Sequence, residues 1–225
     1  MVVGRNIESP GLANTLDSQG LPHLQSMGRR ERRAAETRLR LFRSALQLIA
    51  ERGLSHVTVE DITKAADVGK GTFFNYFPTK DHVLGVMAEI QLGKVHEALD
   101  QATSGKRTIQ YVLRHLMARI GEEPGRSPDL ARAFISSFAA SAVVREQIDR
   151  NMLDGRGMVA KIIEIGQQRG EIDSRLKKEK LAWLLQQTFF GTLLVWSLHG
   201  EPPLQDLVHE NFKYFWRAIA APRRR

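Results

Sequence analysis

The segment from Thr58 to Phe77, TVEDITKAADVGKGTFFNYF, followed by Pro78, constrains this chain more than any other part of it. Thr58 is a good helix N-cap, and Asp61 three places on completes an imperfect capping box, because Glu or Gln is the preferred partner. Val59, Ile62, Ala65 and Ala66 then form the inward face of a short helix. Asp67-Val68-Gly69 is a tight turn, and a second short helix runs to about Phe77. Pro78 ends it by disfavouring the helical conformation at the residue before it. Thr79 is placed to cap a long helix reaching about Thr103. Two short helices across a tight turn, after a longer supporting helix, make a helix-turn-helix.

The supporting helix lies immediately upstream. Leu39, Phe42, Leu46 and Ile49 recur at 3-4-3 spacing on one face, and Gly53 stops the run. Downstream, the pattern predicts helices over 107–122, 128–141, 144–169, 175–199 and 203–219. Ser127-Pro128 is an N-cap followed by the residue best tolerated at the first helical position. Gly170 and Gly200 are helix terminators. No alternating β pattern and no internal repeat is present. The fold expected is all-α, about nine helices. Residues 1–33 are expected to be a basic, flexible tail, 34–95 the helix-turn-helix head, and 96–225 a larger helical body. Met27 precedes the arginine cluster, so translation from either Met1 or Met27 is compatible with the sequence.

Charge agrees with the head's position. The 225-residue chain carries a formal net charge of +8. Between Gly28 and Arg52 eight arginines face three glutamates, a local excess of five positive charges. Such a concentration suits a polyanionic partner. The chain has no cysteine, which excludes disulfides, thiolate metal sites and cysteine nucleophiles. That fits a reducing compartment, and a cytoplasmic location is expected. Leu181 to Leu198 is uncharged and long enough to span a bilayer. Gln186, Gln187, Thr188, Thr192 and Ser197 interrupt its apolarity, so it reads as a core or interface helix and no membrane partner is expected.

A recognition helix must enter the major groove with polar groups outward and an apolar face clamped from behind. In VGKGTFFNYF, Val68, Phe73 or Phe74, and Phe77 supply the inward face. Lys70, Thr72, Asn75 and Tyr76 supply the outward one, and Gly71 removes bulk where backbone would approach DNA.

These residues, with PTKDHVL at 78–84 and the upstream ERG-L at 51–54, closely resemble the DNA-binding region of the TetR family of bacterial regulators. That family commonly reads T-x-x-x-I-A-x-x-A-G-V-S-x-G-x-x-Y-x-Y-F-x-x-K-x-x-L. Four positions depart from it. Thr63 stands where alanine is usual, Asp67 replaces the turn glycine, Gly69 replaces the capping serine, and Phe74 replaces a tyrosine. Asp tolerates the left-handed conformation better than most residues, so the turn survives. The resemblance implies that Thr58, Tyr76 and Lys80 contact phosphates. It places Gly69 at the start of the recognition helix and Lys70, Gly71, Thr72, Phe73 and Asn75 at or near base edges. It also implies a homodimer on a near-palindromic operator, and repression relieved by a small-molecule effector.

For the dimer, the last helix carries an apolar stripe, and the helix before it is apolar on nearly all sides. Leu184, Gly191, Leu194, Leu204, Val208, Phe212 and Phe215 are the expected interface residues. For the effector, Phe134, Phe138, Met152, Met158, Phe189 and Trp196 are candidate lining residues, suited to an apolar or aromatic molecule. No cofactor or metal site is expected: the seven histidines are scattered. Gly69-Lys70-Gly71-Thr72 also lacks the lysine–hydroxyl adjacency of a phosphate-binding loop. An enzyme is therefore set aside. A non-specific architectural DNA binder without a ligand is the competing reading. It accounts for the charge but not for the large apolar body.

Overall fold

The stripe of Leu39, Phe42, Leu46 and Ile49 is buried as its spacing demands, along α1 (Arg29–Arg52). The computed structural model describes residues 28–140 and 142–222. Residues 1–27, with the choice between Met1 and Met27, lie outside the described residues. Helix α1 starts at Arg29, capped by the Glu31 carboxylate accepting from the Gly28 N–H at 3.2 Å. The cluster Arg29 to Arg33 is thus the opening of a helix, which corrects the expected tail boundary at residue 33. Arginines favour helix almost as well as leucine does, and α1 runs on without a break.

Helix α2 (Val59–Ala65) begins at the expected cap. The Thr58 hydroxyl accepts from the Asp61 N–H at 3.1 Å, and the Asp61 carboxylate accepts from the Thr58 N–H at 2.9 Å. Asp67 takes a left-handed φ of 51°, as the turn requires. Helix α3 spans only Lys70–Phe74, shorter than expected. Asn75 and Tyr76 form its closing turn, with the Tyr76 and Phe77 N–H groups both donating to the Phe73 carbonyl at 2.9 Å. Thr79 precedes a 3₁₀ turn over Lys80–His82, and α4 (Val83–Ser104) follows directly.

The body holds α5 (Ile109–Ile120), α6 (Pro128–Ala140), α7 (Ala142–Gln168), α8 (Lys178–His199) and α9 (Leu204–Ile219). Nine α-helices and no strand occur among the described residues, apart from an isolated bridge between Ile172 and Ala220. Ser127 caps α6 as expected, accepting from the Leu130 N–H at 3.1 Å. Gly200 ends α8 at φ 78°, where a Cβ would also sit 2.9 Å from the Pro128 ring. Helix α4 packs along α7, α7 against α8, and α5 against α4 and α9, while α6 touches both α1 and α8. One continuous buried cluster therefore runs from Leu39 in the head to Ile219 in α9.

Helix α8 is long and apolar enough to cross a membrane, by length and composition only. Its Leu181, Ala182, Leu185, Phe189, Leu193 and Trp196 are buried in the chain's own core. Helix α9 corrects the interface expectation. Leu204, Val208, Phe212 and Phe215 are all buried within the single chain. A single-sided stripe closes the core first, because the covering helices come from the same chain.

Candidate nucleic-acid interface and buried chamber

Helix α3 is anchored by two rings and offers the rest to solvent. Phe73 and Phe77 are buried, their ring centroids 5.4 Å apart. Phe74 is 48% exposed and stands edge-on to Phe73 at 5.5 Å. Phe73 therefore seats the helix and is not at a base edge, a correction to the expected contact set. The i, i+4 pair Phe73/Phe77 shares one face, and this spacing is the signal that separates the two neighbouring phenylalanines. Gly69, Lys70, Gly71 and Asn75 are exposed, and Thr72 and Tyr76 are half-buried. A Cβ on Gly71 would meet nothing in the chain within 4 Å, so that backbone faces open space.

Two lysines behave differently. The Lys70 ammonium pairs with the Glu60 carboxylate of α2, and both side chains remain more than half exposed. That hydrogen bond holds the Glu60 carboxyl below its usual range. An exposed pair of this kind adds little stability, so an incoming phosphate can displace the carboxylate. Lys80 is not free in this way. Its ammonium donates to the carbonyls of Leu54 at 2.8 Å and Val57 at 3.0 Å, tying the chain after α1 to the start of α4. Lys80 is thus a brace within the head, and its third ammonium N–H is left over for the expected phosphate contact. Thr58 is exposed, but its hydroxyl is engaged with Asp61 in the cap. Six arginines of α1, Arg29, Arg30, Arg33, Arg40, Arg43 and Arg52, are exposed.

Behind α3 the head is wired to the body. The Arg38 guanidinium lies over the Phe77 ring at 5.6 Å. It also forms a two-pronged pair with Glu89 of α4, at 2.8 and 2.9 Å. The Gln147 amide of α7 donates to the same carboxylate at 2.8 Å. Arg38 and Glu89 are largely buried, where a forked pair is short and directional. Nothing in the periodicity of α1 singled out Arg38 from its neighbours, so sequence reading missed it.

A chamber lies between α4, α5, α6, α7 and α8, with about 820 Å³ of empty space counting its open mouth. Its walls are almost wholly apolar. Phe134, Met152 and Phe189 line it, as expected. Met158 and Trp196 are buried elsewhere in the core, a correction that follows from their facing neighbouring helices. The Phe138 side chain lies outside the described residues. Sequence reading missed Gln91, Leu92, Leu116, Met117, Asn151 and Phe190 on the same walls. The apolar ones are ordinary helix-core residues by pattern, and only the assembled fold separates wall from filling. A second hollow, bordered by Arg145, Asp149, Trp183 and Leu194, shares Ile148, Met152, Arg156, Gln186 and Phe190 with the chamber. It adjoins the chamber at the α8 surface.

That surface is the main exposed apolar feature among the described residues. Leu184, Leu194, Val195 and Leu198 stand out along α8 beside exposed Gly191, with Trp183 nearby and Tyr214 on α9. Of the seven expected interface residues, only Leu184, Gly191 and Leu194 are on it.

Residues 41–87 match the family model for bacterial regulatory proteins of the tetR family. The chain is 28% identical over 196 residues to the HTH-type transcriptional regulator EthR of Mycobacterium tuberculosis, spanning 81% of this chain and 89% of EthR. It is similar to the crystal structure of Thermus thermophilus FadR, a TetR-family transcriptional repressor in complex with lauroyl-CoA. The TM-score there is 0.59 at 27% identity, covering 79% of this chain and 92% of that one. The regulatory protein TetR from Rhodobacter sphaeroides aligns at a TM-score of 0.63 and 25% identity, covering 81% and 98%.

Proposed function

The chain belongs to the TetR family of bacterial regulatory proteins, and from that premise we propose that it is a homodimeric repressor, released from a near-palindromic operator when an apolar effector enters its chamber. The observation that carries this reading is α3 itself, whose exposed Lys70, Gly71, Phe74 and Asn75 stand on the buried Phe73 and Phe77. A short rod so seated can enter the major groove without disturbing the core behind it. Lys70, Gly71, Thr72 and Asn75 read base edges in this account, and Phe74 makes apolar contact with a thymine methyl. The Gly69 backbone, Tyr76 and the remaining ammonium N–H of Lys80 hold phosphates, and the exposed arginines of α1 add sequence-independent attraction.

Two copies pair through the outer face of α8. Leu184, Leu194, Val195 and Leu198 supply the apolar contact, and Gly191 lets the helices approach closely. The likeness to a repressor bound to lauroyl-CoA supports a chamber occupant with a large apolar part. Helix α4 lines the chamber with Ala88, Gln91, Leu92 and Val95 and holds the head through Glu89. Helix α7 lines it with Ile148, Asn151 and Met152, next to Gln147. A ligand that favours another spacing of α4 and α7 thereby favours another position of Arg38 and the two heads.

The test is competition binding with genomic fragments selected by the full chain. One preferred palindrome, occupied by two protomers and resistant to excess random DNA, is expected. Flat affinity for all fragments would instead favour the architectural DNA binder.

A further inference from the structure

Two polar atoms in the chamber have no hydrogen-bonding partner among the described residues, although both are buried: Oε1 of Gln91 and Nδ2 of Asn151. Buried polar atoms are nearly always paired, and each unpaired one is costly. The other polar side chains on the walls, Arg156 and Gln186, have partners: the Arg156 guanidinium donates to the Gln186 amide oxygen at 3.3 Å, and the Gln186 amide donates to the Met152 carbonyl at 3.2 Å. The orientation of the Gln91 amide is not arbitrary. Its Nε2 donates to the Glu123 carboxylate at 3.0 Å, and a carboxylate only accepts, so Oε1 is left as an acceptor. Glu123 is itself fixed by Lys94, a lysine only 6% exposed, whose ammonium lies 2.6 Å away and also donates to the Arg119 carbonyl at 2.5 Å. Gln91 is therefore held from behind, with its acceptor unused.

Resting on the effector reading above, we infer that the chamber selects an apolar molecule bearing a neutral hydrogen-bonding group, one that donates to Gln91 Oε1 and accepts from Asn151 Nδ2. A primary or secondary amide has both capacities, and so does a hydroxyl. A carboxylate is a poor fit at this position. It brings no donor for Gln91, and it meets an amide oxygen backed by the Glu123 carboxylate. The apolar remainder of the molecule lies against Leu92, Leu116, Phe134 and Phe189. Specificity of this kind is sharp, because an analogue lacking the donor leaves a buried acceptor unpaired.

The experiment titrates the full chain with three probes of matched length: decanamide, 2-undecanone and decanoate. The ketone keeps the amide's acceptor and loses its donor. Wild type is expected to bind decanamide roughly tenfold more tightly than 2-undecanone, with decanoate weakest. Gln91→Met removes the preference for amide over ketone, and Asn151→Leu weakens both. Asn151→Asp, which trades the donor for an acceptor, does the same and serves if the leucine variant fails to fold. Equal binding of amide and ketone overturns the inference, as would tightest binding of decanoate, survival of the amide preference in Gln91→Met, or no binding of any probe. The effector reading has a separate readout. If saturating decanamide leaves operator affinity unchanged, release by a chamber ligand fails while the amide preference stands. If an apolar probe releases DNA without preferring the amide, only the inference fails.

Discussion

Phe73 and Phe74 are neighbours on α3 with opposite environments, and the contrast separates stability from recognition at single-residue scale. Phe73 is fully buried between Phe77 and the head core, so Phe73→Ala is expected to cost about 3–5 kcal/mol and to lower Tm sharply. Phe74 is half in solvent, so Phe74→Ala leaves Tm nearly unchanged and weakens operator binding. Thermal melts beside DNA titrations check both; a Tm drop for Phe74→Ala as large as for Phe73→Ala would refute the assignment. Thr58 carries the N-cap of α2, and Thr58→Ala is expected to destabilise the head by about 1 kcal/mol. The Thr58 hydroxyl, and after it the Thr58 N–H, donate to the Asp61 carboxylate and hold it below its ordinary 3.8. Its stabilising effect is therefore complete above pH 4 and is lost as pH falls through the lowered value. In Thr58→Ala the backbone N–H still bonds Asp61 but the side-chain part is lost, so this acid sensitivity shrinks, which melts from pH 6 to pH 2 would register.

At the scale of elements, the interest lies in how α1, α4 and α7 meet at Glu89. Arg38 of α1 and Gln147 of α7 share its carboxylate, so the head is bonded to two of the helices that line the chamber. Glu89→Gln keeps the shape but removes the charge that grips Arg38. Operator affinity in the absence of ligand is expected to change little, whereas the loss of affinity caused by a chamber ligand should shrink severalfold. An unaltered ligand response in this variant would show that coupling runs by another route. The Lys80 brace gives a complementary prediction. Lys80→Met should lower head stability, because the brace is lost, and reduce the slope of log affinity against log salt by about one unit, because a phosphate contact goes with it.

The same scale shows what the sequence could reveal. Periodicity located every helix, and the Thr58 cap, the Asp67 turn and the Ser127 cap are local chemistry that few residues can satisfy. Phe73 against Phe74 was open because two adjacent rings cannot both face inward, and the tertiary partner Phe77 decides. The α9 stripe was assigned to a partner chain because an apolar face does not state which chain covers it. Gln91, Asn151 and Arg38 were invisible for a further reason. Their significance lies in what surrounds them, and helices far apart in sequence supply the surroundings.

For the whole molecule, one cluster of buried side chains links head, chamber and α9, so large core truncations far from DNA should still disturb the fold. Phe212→Ala is expected to lower Tm without selectively producing monomers. Leu194→Glu should do the reverse, because Leu194 is exposed on the outer face of α8. Sedimentation equilibrium should then find folded monomers that bind the full palindrome far more weakly. Wild-type-like dimers in Leu194→Glu would remove the α8 interface from the account.

The central claim is that α3 reads base edges from the exposed side of a helix seated on Phe73 and Phe77. Affinities of wild type and Asn75→Ala should be compared on the selected operator and on all its single base-pair variants. The account predicts that Asn75→Ala loses discrimination of about 1–3 kcal/mol at one symmetry-related position in each half-site and keeps it elsewhere. Uniform weakening across every variant, or an unchanged profile, would contradict it.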